Sequence, residues 1–249
     1  MIIEKDILFV TTSMNNKWSE YSRTLVKKNF PESEHLIVDG TDGWWQVWFK
    51  WIKDVENKTQ KWIIHIDDDA FITNKDEILR LINILDEEGY SIAGIPDGHN
   101  HVRGSNPVSI NPFFMAIRRD HVVESWDWSL EHKFKTEWIE DYKHEYEKGF
   151  IDDVIGKHKM SHEFCDLQFS PTWKGDIFYP LFWKMLSDGR RIKYLYPNYG
   201  GHILESTNPS IEKGSPEFLI HMWFTREWNT KNHLPRYTAV EQIIKEKLL

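Results

Sequence analysis

The sequence predicts an α/β fold, with a mostly parallel, doubly wound sheet, helices on both of its faces and a smaller mixed region on one side. Short apolar runs alternate with helical patterns through the first hundred residues, which is typical of parallel sheets covered on both faces. No linker-like composition, internal repeat or low-complexity tract divides the 249 residues. A chain of this length buries roughly 70% of its unfolded surface, so we expect a single domain, 1–249.

The first half of the chain contains the clearest elements. Strands are expected where short apolar runs end in polar or turn-forming residues, at 7–13, 35–38, 62–66 and 91–95. Helices are expected at 18–28, 43–56 and 75–88. The second of these helices carries Trp44, Trp48 and Trp51 at helical spacing, which predicts packing. The third has Thr73-Asn74 as a cap and Gly89 at its end.

The second half is less regular. A strand is expected at 111–117, where Pro112 confines it to a sheet edge or a strand start. A helix at 176–188, a strand at 192–196, a strand at 218–224 and a terminal helix at 240–249 complete the pattern. The polar segment 206–216 is punctuated by Gly and Pro and predicts a mobile loop.

Composition excludes several classes of protein. The chain has 31 Lys and Arg against 39 Asp and Glu, a net charge of −8, which argues against binding to a nucleic-acid polymer. Cys165 is the single cysteine, so an intramolecular disulfide and a multi-cysteine zinc site are excluded. No apolar stretch is long enough to cross a bilayer, and the charged segment 1–6 does not resemble a signal peptide. We therefore expect a cytoplasmic protein from a bacterial or viral setting.

Three consecutive aspartates, Asp67, Asp68 and Asp69, follow the third strand. Adjacent carboxylates repel one another and are costly to bury. A divalent cation, Mn²⁺ or Mg²⁺, would remove this cost because both ions prefer oxygen ligands. In an extended segment, Asp67 and Asp69 would point together and Asp68 away. The alternative interpretation is an acidic first turn of the following helix, although Thr73-Asn74 lies nearer to that helix.

The segment Trp62-Ile-Ile-His-Ile-Asp-Asp-Asp-Ala-Phe-Ile-Thr73 resembles the DxD segment of GT-A glycosyltransferases, and its form is closest to the Fringe and galactosyltransferase branch. The resemblance implies a Rossmann-like GT-A domain in which Asp67 and Asp69 bind the metal and Asp68 lies in the donor site. It implies that the donor is a nucleotide-diphosphate sugar. It also implies that Thr11, Thr12 and Ser13 line the base pocket and that Asp39 contacts base or ribose. Without the resemblance, Thr11–Ser13 is a strand end and Asp39-Gly40 a loop signal.

A second stretch, from Gly175 to Pro197, resembles the family's acid-opened helix followed by a strand. The resemblance implies that Asp176 is the general base of an inverting enzyme. The family's acidic pair is reduced here to Gly175-Asp176, so a retaining reaction stays open, as does a simple capping role. Glu163 and Asp166 are the alternative acids.

Family members add a late histidine as a third metal ligand, and two positions match. His202 follows two glycines, and His221 lies in a segment similar to that of glycogenin-like enzymes, in which Arg226 would contact the diphosphate. A lone histidine in an apolar strand can equally be a hydrogen-bonded core residue, which is our expectation for His65. Trp126 and Trp173 lie in polar sequence, where exposed rings would stack on an acceptor sugar.

Together these features predict a metal-dependent glycosyltransferase acting on a glycan or other hydroxyl acceptor. Residues 1–105 would form the nucleotide-sugar half, 106–205 the acceptor and catalytic half, and 206–249 a mobile loop that orders over the donor, followed by a tail. Two further classes stay open. A metal-dependent phosphohydrolase or nucleotidyltransferase could use the same aspartates, and a non-catalytic carbohydrate-binding protein would explain the 13 Trp but would not need three aspartates.

Overall fold

The computed structural model describes residues 1–14, 17–42, 44–96, 110–126, 178, 181–182, 184–185, 188–200, 206–223 and 234–248. The strands are β1 (Ile7–Ser13), β2 (Glu34–Asp39), β3 (Trp62–Asp67), β4 (Ala70–Ile72), β5 (Ile92–Pro96), β6 (Ile110–Arg118), β7 (Ile192–Tyr194), β8 (Tyr196–Tyr199), β9 (Ser206–Ser210) and β10 (Leu219–Met222). The helices are α1 (Lys17–Asn29), α2 (Trp44–Glu56), α3 (Lys75–Glu88), α4 (Arg119–Ser125) and α5 (Leu234–Leu248).

The central sheet has six strands in the order β2-β1-β3-β6-β5-β7. Strand β1 is parallel to β2 and β3, and β5 is parallel to β7, whereas β6 is antiparallel to both β3 and β5. The prediction of an α/β fold with a mostly parallel central sheet is therefore confirmed. Because β1, β2 and β3 run in the same direction, their carboxyl ends meet at one edge of the sheet.

Alternating side chains of the central strands enter two hydrophobic clusters. Ile7 and Phe9 join a cluster with the buried face of α3, while Leu8 and Val10 join one with α2 and α4. Successive side chains of a strand point to opposite faces of its sheet. The near-continuous apolar runs of these strands thus reflect a sheet that is buried on both faces.

A second, antiparallel sheet has the order β4-β10-β9-β8. Strand β4 begins directly after the aspartates, so the chain passes from the central sheet to the second sheet through Asp68 and Asp69. A third cluster, which includes Trp18 of α1, Phe71, Met222 and Tyr237 of α5, packs α1 and α5 against this second sheet.

The position of β6 corrects one expectation. Strand β6 lies inside the central sheet rather than at its edge. Pairing with β3 begins at Phe114, and pairing with β5 shifts register between Ile110 and Met115, so Pro112 lies in the irregular part of β6, where a missing N–H is tolerated. Pro112 is the third residue of an interior strand, so the expectations of an edge strand and of a strand start are both wrong.

Two further expectations are corrected in the second sheet. The predicted mobile loop at 206–216 begins with β9, all five residues of which are buried. The small polar side chains of β9 give this strand the composition of a loop, but its backbone pairs with β8 on one side and β10 on the other. The predicted strand 192–196 divides at Leu195, with β7 in the central sheet and β8 in the second. None of the described helices combines the length and the apolar character needed to cross a membrane.

Candidate functional site

Polar residues of three neighbouring strands lie side by side at the carboxyl edge of the central sheet. Ser13 of β1 is paired with Asp39 of β2, and Thr12 of β1 is paired with Asp67 of β3. Ligands of open α/β sheets bind outside the carboxyl ends of the strands. The structure therefore brings together the residues that the sequence assigned to the nucleoside and to the metal.

Two histidines support the threonines from within the sheet. The Thr11 hydroxyl lies 2.9 Å from Nε2 of His35, and the Thr12 hydroxyl lies 3.1 Å from Nε2 of His65. Nδ1 of His65 is 2.6 Å from the carbonyl oxygen of Pro112. Since a carbonyl can only accept, Nδ1 carries the proton and Nε2 accepts from the Thr12 hydroxyl. Burial lowers the pKa of His65 to about 4 and that of His35 to about 4, so both rings are neutral at pH 7.

Asp39 is held by its own loop. Its Oδ1 accepts hydrogen bonds from the backbone N–H of Thr41 at 2.9 Å and from the Thr41 hydroxyl at 2.6 Å. These bonds, that of the hydroxyl first, keep the pKa of the Asp39 carboxyl below its usual range. A Cβ on the adjacent Gly40 would lie 3.0 Å from Sδ of Met14 and 3.1 Å from the carbonyl oxygen of Ser13. The absence of a side chain at Gly40 thus allows the ends of β1 and β2 to approach closely.

The three aspartates occupy three different environments. Asp67 is the last residue of β3, and Asp68 and Asp69 form the turn before β4. The segment is therefore not extended beyond Asp67, which was the premise for expecting Asp67 and Asp69 to point together. The Asp67 side chain is 34% exposed, with Oδ1 3.9 Å from Nε2 of His65. The Asp69 side chain is 16% exposed, with Oδ1 3.4 Å from Nε2 of His221.

Asp68 is the most buried of the three, at 6% exposure. Its Oδ2 accepts hydrogen bonds from the backbone N–H of Met14 at 2.6 Å and from the Ser19 hydroxyl at 2.5 Å. Donors of the protein therefore compensate its charge, so a cation is not needed to explain the burial of Asp68. Direct contact between Asp68 and a donor sugar nucleotide stays a prediction.

Aromatic rings fix the orientation of His221. Its ring stacks on Phe113 with the centroids 4.0 Å apart, and the Trp223 ring meets it at 76° with the centroids 4.5 Å apart. The indole N–H of Trp223 donates to the Thr207 hydroxyl at 2.8 Å, and the Tyr237 hydroxyl donates to the Trp223 carbonyl at 3.0 Å. His221 is only 4% exposed, and this packing directs its Nε2 towards Asp69.

Asp69 and His221 have the chemistry of a metal-binding pair. A carboxylate oxygen and an imidazole nitrogen are donors that Mn²⁺ accepts. Across the described residues, no three His, Cys, Asp or Glu side chains converge as a metal-binding group. Nδ1 of His221 is buried and has no hydrogen-bond partner among the residues that the structure describes. Among the described residues, this pair would offer an ion two protein ligands, and metal binding here stays a prediction.

Several predicted site residues lie outside the described part of the chain: Asp176, His202, Arg226, Trp173, Glu163 and Asp166. Phe178 is described, and its ring contacts His65 and Trp51 with centroid distances of 5.1 and 5.6 Å. Trp126 follows α4 and packs, half-buried, against the hydrophobic cluster beneath α2. Its role in acceptor binding stays a prediction.

Three residues of the site carried no recognisable signal in the sequence, and a fourth, Trp223, carried one. Ser19 lies in an ordinary helical pattern, and Phe113 and Tyr237 are aromatic residues among many. Trp223 follows His221 by two positions, and the alternation of a strand places both on the same face. That spacing is the signal that could have identified Trp223 as a neighbour of the histidine.

No protein-family model matches the chain, and no curated protein matches it. Among solved structures, A197 from STIV is 17% identical with a TM-score of 0.37, over 61% of this chain and 78% of that one. A glycosyltransferase involved in the glycosylation of the major capsid of PBCV-1 is 12% identical with a TM-score of 0.36, over 64% of this chain and 90% of that one. At these TM-scores neither similarity carries an argument about function.

Proposed function

We propose that this protein is a metal-dependent glycosyltransferase of the GT-A type, which transfers a sugar from a nucleotide-diphosphate sugar to a hydroxyl of a glycan or other acceptor. The proposal is carried by the contact of Asp69 with His221 just after the carboxyl end of β3, at the edge where β1 and β2 also end. The mixed α/β fold with a second antiparallel sheet is consistent with a GT-A-like Rossmann fold. The aspartate segment resembles that of the same family.

Asp69 and His221 would hold Mn²⁺ or Mg²⁺ at this edge. Bound there, the ion would neutralise charge on the leaving diphosphate. Thr12 and Asp39 lie partly exposed on the adjacent strand ends, where they would orient the nucleoside, whereas Thr11 and Ser13 are fully buried. In this arrangement the site binds the donor at two points, with the nucleoside over β1 and β2 and the diphosphate beside the aspartate turn.

The transfer step is proposed to invert the anomeric configuration. The acceptor hydroxyl oxygen attacks the anomeric carbon as the Asp176 carboxylate takes its proton. The bond between that carbon and the diphosphate oxygen breaks, and its electron pair leaves with the diphosphate. Arg226 would bind the diphosphate through two parallel N–H donors.

The first prediction concerns binding of the donor portion. Calorimetric titration with nucleoside diphosphates should show binding that is tighter with Mn²⁺ than without it. Asp69→Asn and His221→Gln should each weaken the Mn²⁺-dependent binding by about tenfold or more, because even indirect metal partners contribute about 10- to 100-fold. Asp76→Asn, an exposed change in the first turn of α3, is the matched control and should bind as the wild type does.

Binding that is identical with and without Mn²⁺ would contradict metal dependence. Product analysis separates a transferase from a phosphohydrolase. A transferase places the labelled sugar on the acceptor and turns over slowly without one, whereas a hydrolase releases the product at the same rate in either case.

A further inference from the structure

The middle aspartate of the turn differs from its neighbours in burial. Asp68 is 6% exposed, while the side chains of Asp67 and Asp69 are 34% and 16% exposed. Burying a carboxylate is favourable only when hydrogen bonds replace the water that it loses. The burial of the Asp68 carboxylate therefore requires hydrogen-bond donors inside the protein.

One oxygen of Asp68 connects three parts of the chain. Oδ2 accepts from the N–H of Met14, the residue after β1, and from the hydroxyl of Ser19, in the first turn of α1. Hydrogen bonds to an ionised acceptor are stronger than those between neutral groups. The end of β1 and the start of α1 are thereby fixed to the turn that carries Asp69.

Helix α1 makes a second contact with the same segment one turn later. The Ser22 hydroxyl donates to the carbonyl oxygen of Ala70 at 2.8 Å. Trp18 packs on Phe71 with the ring centroids 6.1 Å apart. The start of α1 therefore lies against the whole segment from the aspartate turn into β4, and Asp68 provides the bond that also reaches the end of β1.

We propose that Asp68 is a positioning residue that fixes the distance between the nucleoside end and the diphosphate end of the site. This inference rests on the proposed function. A nucleoside diphosphate would contact the partly exposed Thr12 and Asp39 at one end and the Asp69–His221 pair at the other, so its affinity depends on a fixed separation of the two. The metal ion alone contacts one end and does not need that separation. Loss of the Asp68 bonds therefore weakens the binding of nucleoside diphosphate and leaves the binding of Mn²⁺ alone unchanged.

The second prediction tests this role with three variants. Ser19→Ala removes one of the two bonds, Asp68→Asn keeps an oxygen acceptor without the charge, and Asp68→Ala removes both bonds. Thr24→Ala is the control, since its exposed hydroxyl bonds the carbonyl of Glu20 within the same helix. Ser19→Ala and Asp68→Asn keep the test informative if Asp68→Ala does not fold.

Three measurements are needed. Hydrogen exchange of the Met14 amide without ligand reports the bond itself, and we expect it to be roughly tenfold faster in Asp68→Ala and intermediate in Asp68→Asn. Calorimetry with a nucleoside diphosphate and Mn²⁺ should show affinity reduced roughly tenfold in Asp68→Ala, several-fold in Ser19→Ala and partly rescued in Asp68→Asn. Electron paramagnetic resonance of free Mn²⁺ should show wild-type binding of the ion alone in every variant.

The possible failures are distinguishable. If the wild type binds no nucleoside diphosphate, the proposed function fails, and the positioning role fails with it. If the wild type binds but Ser19→Ala and Asp68→Asn bind equally well, the positioning role alone is overturned. A loss of Mn²⁺ binding in Ser19→Ala, which removes no carboxylate, would also overturn it, because Asp68 would then act through the metal.

Discussion

Two buried histidines of the site, His65 and His221, differ in what their ring nitrogens face. Both nitrogens of His65 bond groups of the protein, the Pro112 carbonyl and the Thr12 hydroxyl. His221 instead directs Nε2 to Asp69 at 3.4 Å. The first is therefore a structural residue of the core, and the second has a nitrogen directed at a carboxylate of the functional edge.

The third prediction concerns the support of His221. In Tyr237→Phe, the buried carbonyl of Trp223 loses the hydroxyl that donates to it. We expect the free energy of unfolding to fall by about 1–2 kcal/mol, because an acceptor is left unsatisfied. Urea unfolding measures this change.

The matched control is Tyr90→Phe, which changes a half-buried tyrosine whose ring packs on Arg191 and should cost no more than about 0.5 kcal/mol. An equal loss in both variants would show that the bond from Tyr237 contributes nothing specific.

At the residue scale, the sequence predicted the site only in part. The resemblance implied Asp67 and Asp69 as metal ligands and left His202 and His221 open as the third. The structure brings the side chains of Asp69 and His221 together, while His202 lies outside the described residues.

The burial of Asp68 could not be predicted from the sequence. Its partners are the backbone N–H of Met14 and the hydroxyl of Ser19, which lies 49 positions away. The hydrogen-bond donors that compensate the charge of a buried carboxylate come from distant residues, and no local sequence pattern indicates them.

At the scale of elements, α5 is attached to α1 through one carboxylate. Glu241 accepts from Nζ of Lys17 at 2.9 Å and from the Tyr21 hydroxyl at 2.7 Å, and Lys245 lies 3.1 Å away. The bond from Lys17, followed by that from Tyr21, lowers the pKa of Glu241 to about 2. Since α1 also carries Ser19, this attachment holds the helix that borders the site.

The fourth prediction follows from the lowered pKa of Glu241. The carboxylate stabilises the fold above its unfolded pKa of about 4.5, and this contribution is lost as the pH falls from there towards about 2. Glu241→Gln should lower the free energy of unfolding at pH 7 by about 1–2 kcal/mol, a value reduced for solvent screening. Urea unfolding at pH 7 and pH 3.5 should show the difference from the wild type shrinking at the lower pH.

Glu246→Gln is the control, because this glutamate is exposed on the same helix. Its effect on the free energy of unfolding at pH 7 should be small. A Glu241→Gln deficit that stays constant down to pH 3.5 would mean that charge is not the source of the stabilisation.

Local chemistry explains which elements the sequence predicted well. Helix α3 was predicted at its observed limits, with the Asn74 side chain accepting from the N–H of Glu77 at 3.3 Å and Gly89 in the left-handed region at φ 74°. Strand β9 was missed because its residues have no apolar alternation. Its stability comes from pairing with β8, which ends seven residues before it, and with β10, which begins nine residues after it.

At the scale of the whole molecule, two sheets share the short turn that carries the aspartates. The apolar runs of the first hundred residues were enough to predict the central sheet, because strands buried on both faces are recognisable by composition. The second sheet was not predicted as a unit, since its strands come from segments that range from β4 to β10. A sheet assembled from distant, partly polar segments leaves no periodic signal.

The fifth prediction concerns the stability of the molecule in acid. His35 and His65 have pKa values lowered by burial to about 4, below the unfolded value of about 6.5. Between these two values the unfolded chain binds more protons, so the folded state loses stability as the pH falls from 6.5 towards 4. Near pH 5 the slope should approach about 1.4 kcal/mol per pH unit for each histidine.

Urea unfolding between pH 7 and pH 5 measures this slope. His65→Asn, which keeps a donor near the Pro112 carbonyl, should reduce the slope by the contribution of one histidine, about 1.4 kcal/mol per pH unit. Thr12→Val removes the hydroxyl but leaves the imidazole buried, so its slope should match that of the wild type. An unchanged slope in His65→Asn would show that this ring is not held neutral by the fold.

The reversed direction of β6 has a consequence for how such a protein can diversify. Because β6 is antiparallel to β5, one strand ends and the other begins at the rim that carries the aspartates, where Pro96 is paired with Ile110. Insertions or deletions between these two residues leave every strand pair of the scaffold in place. The strand pairs of the central sheet therefore place no limit on the length of the chain at this junction.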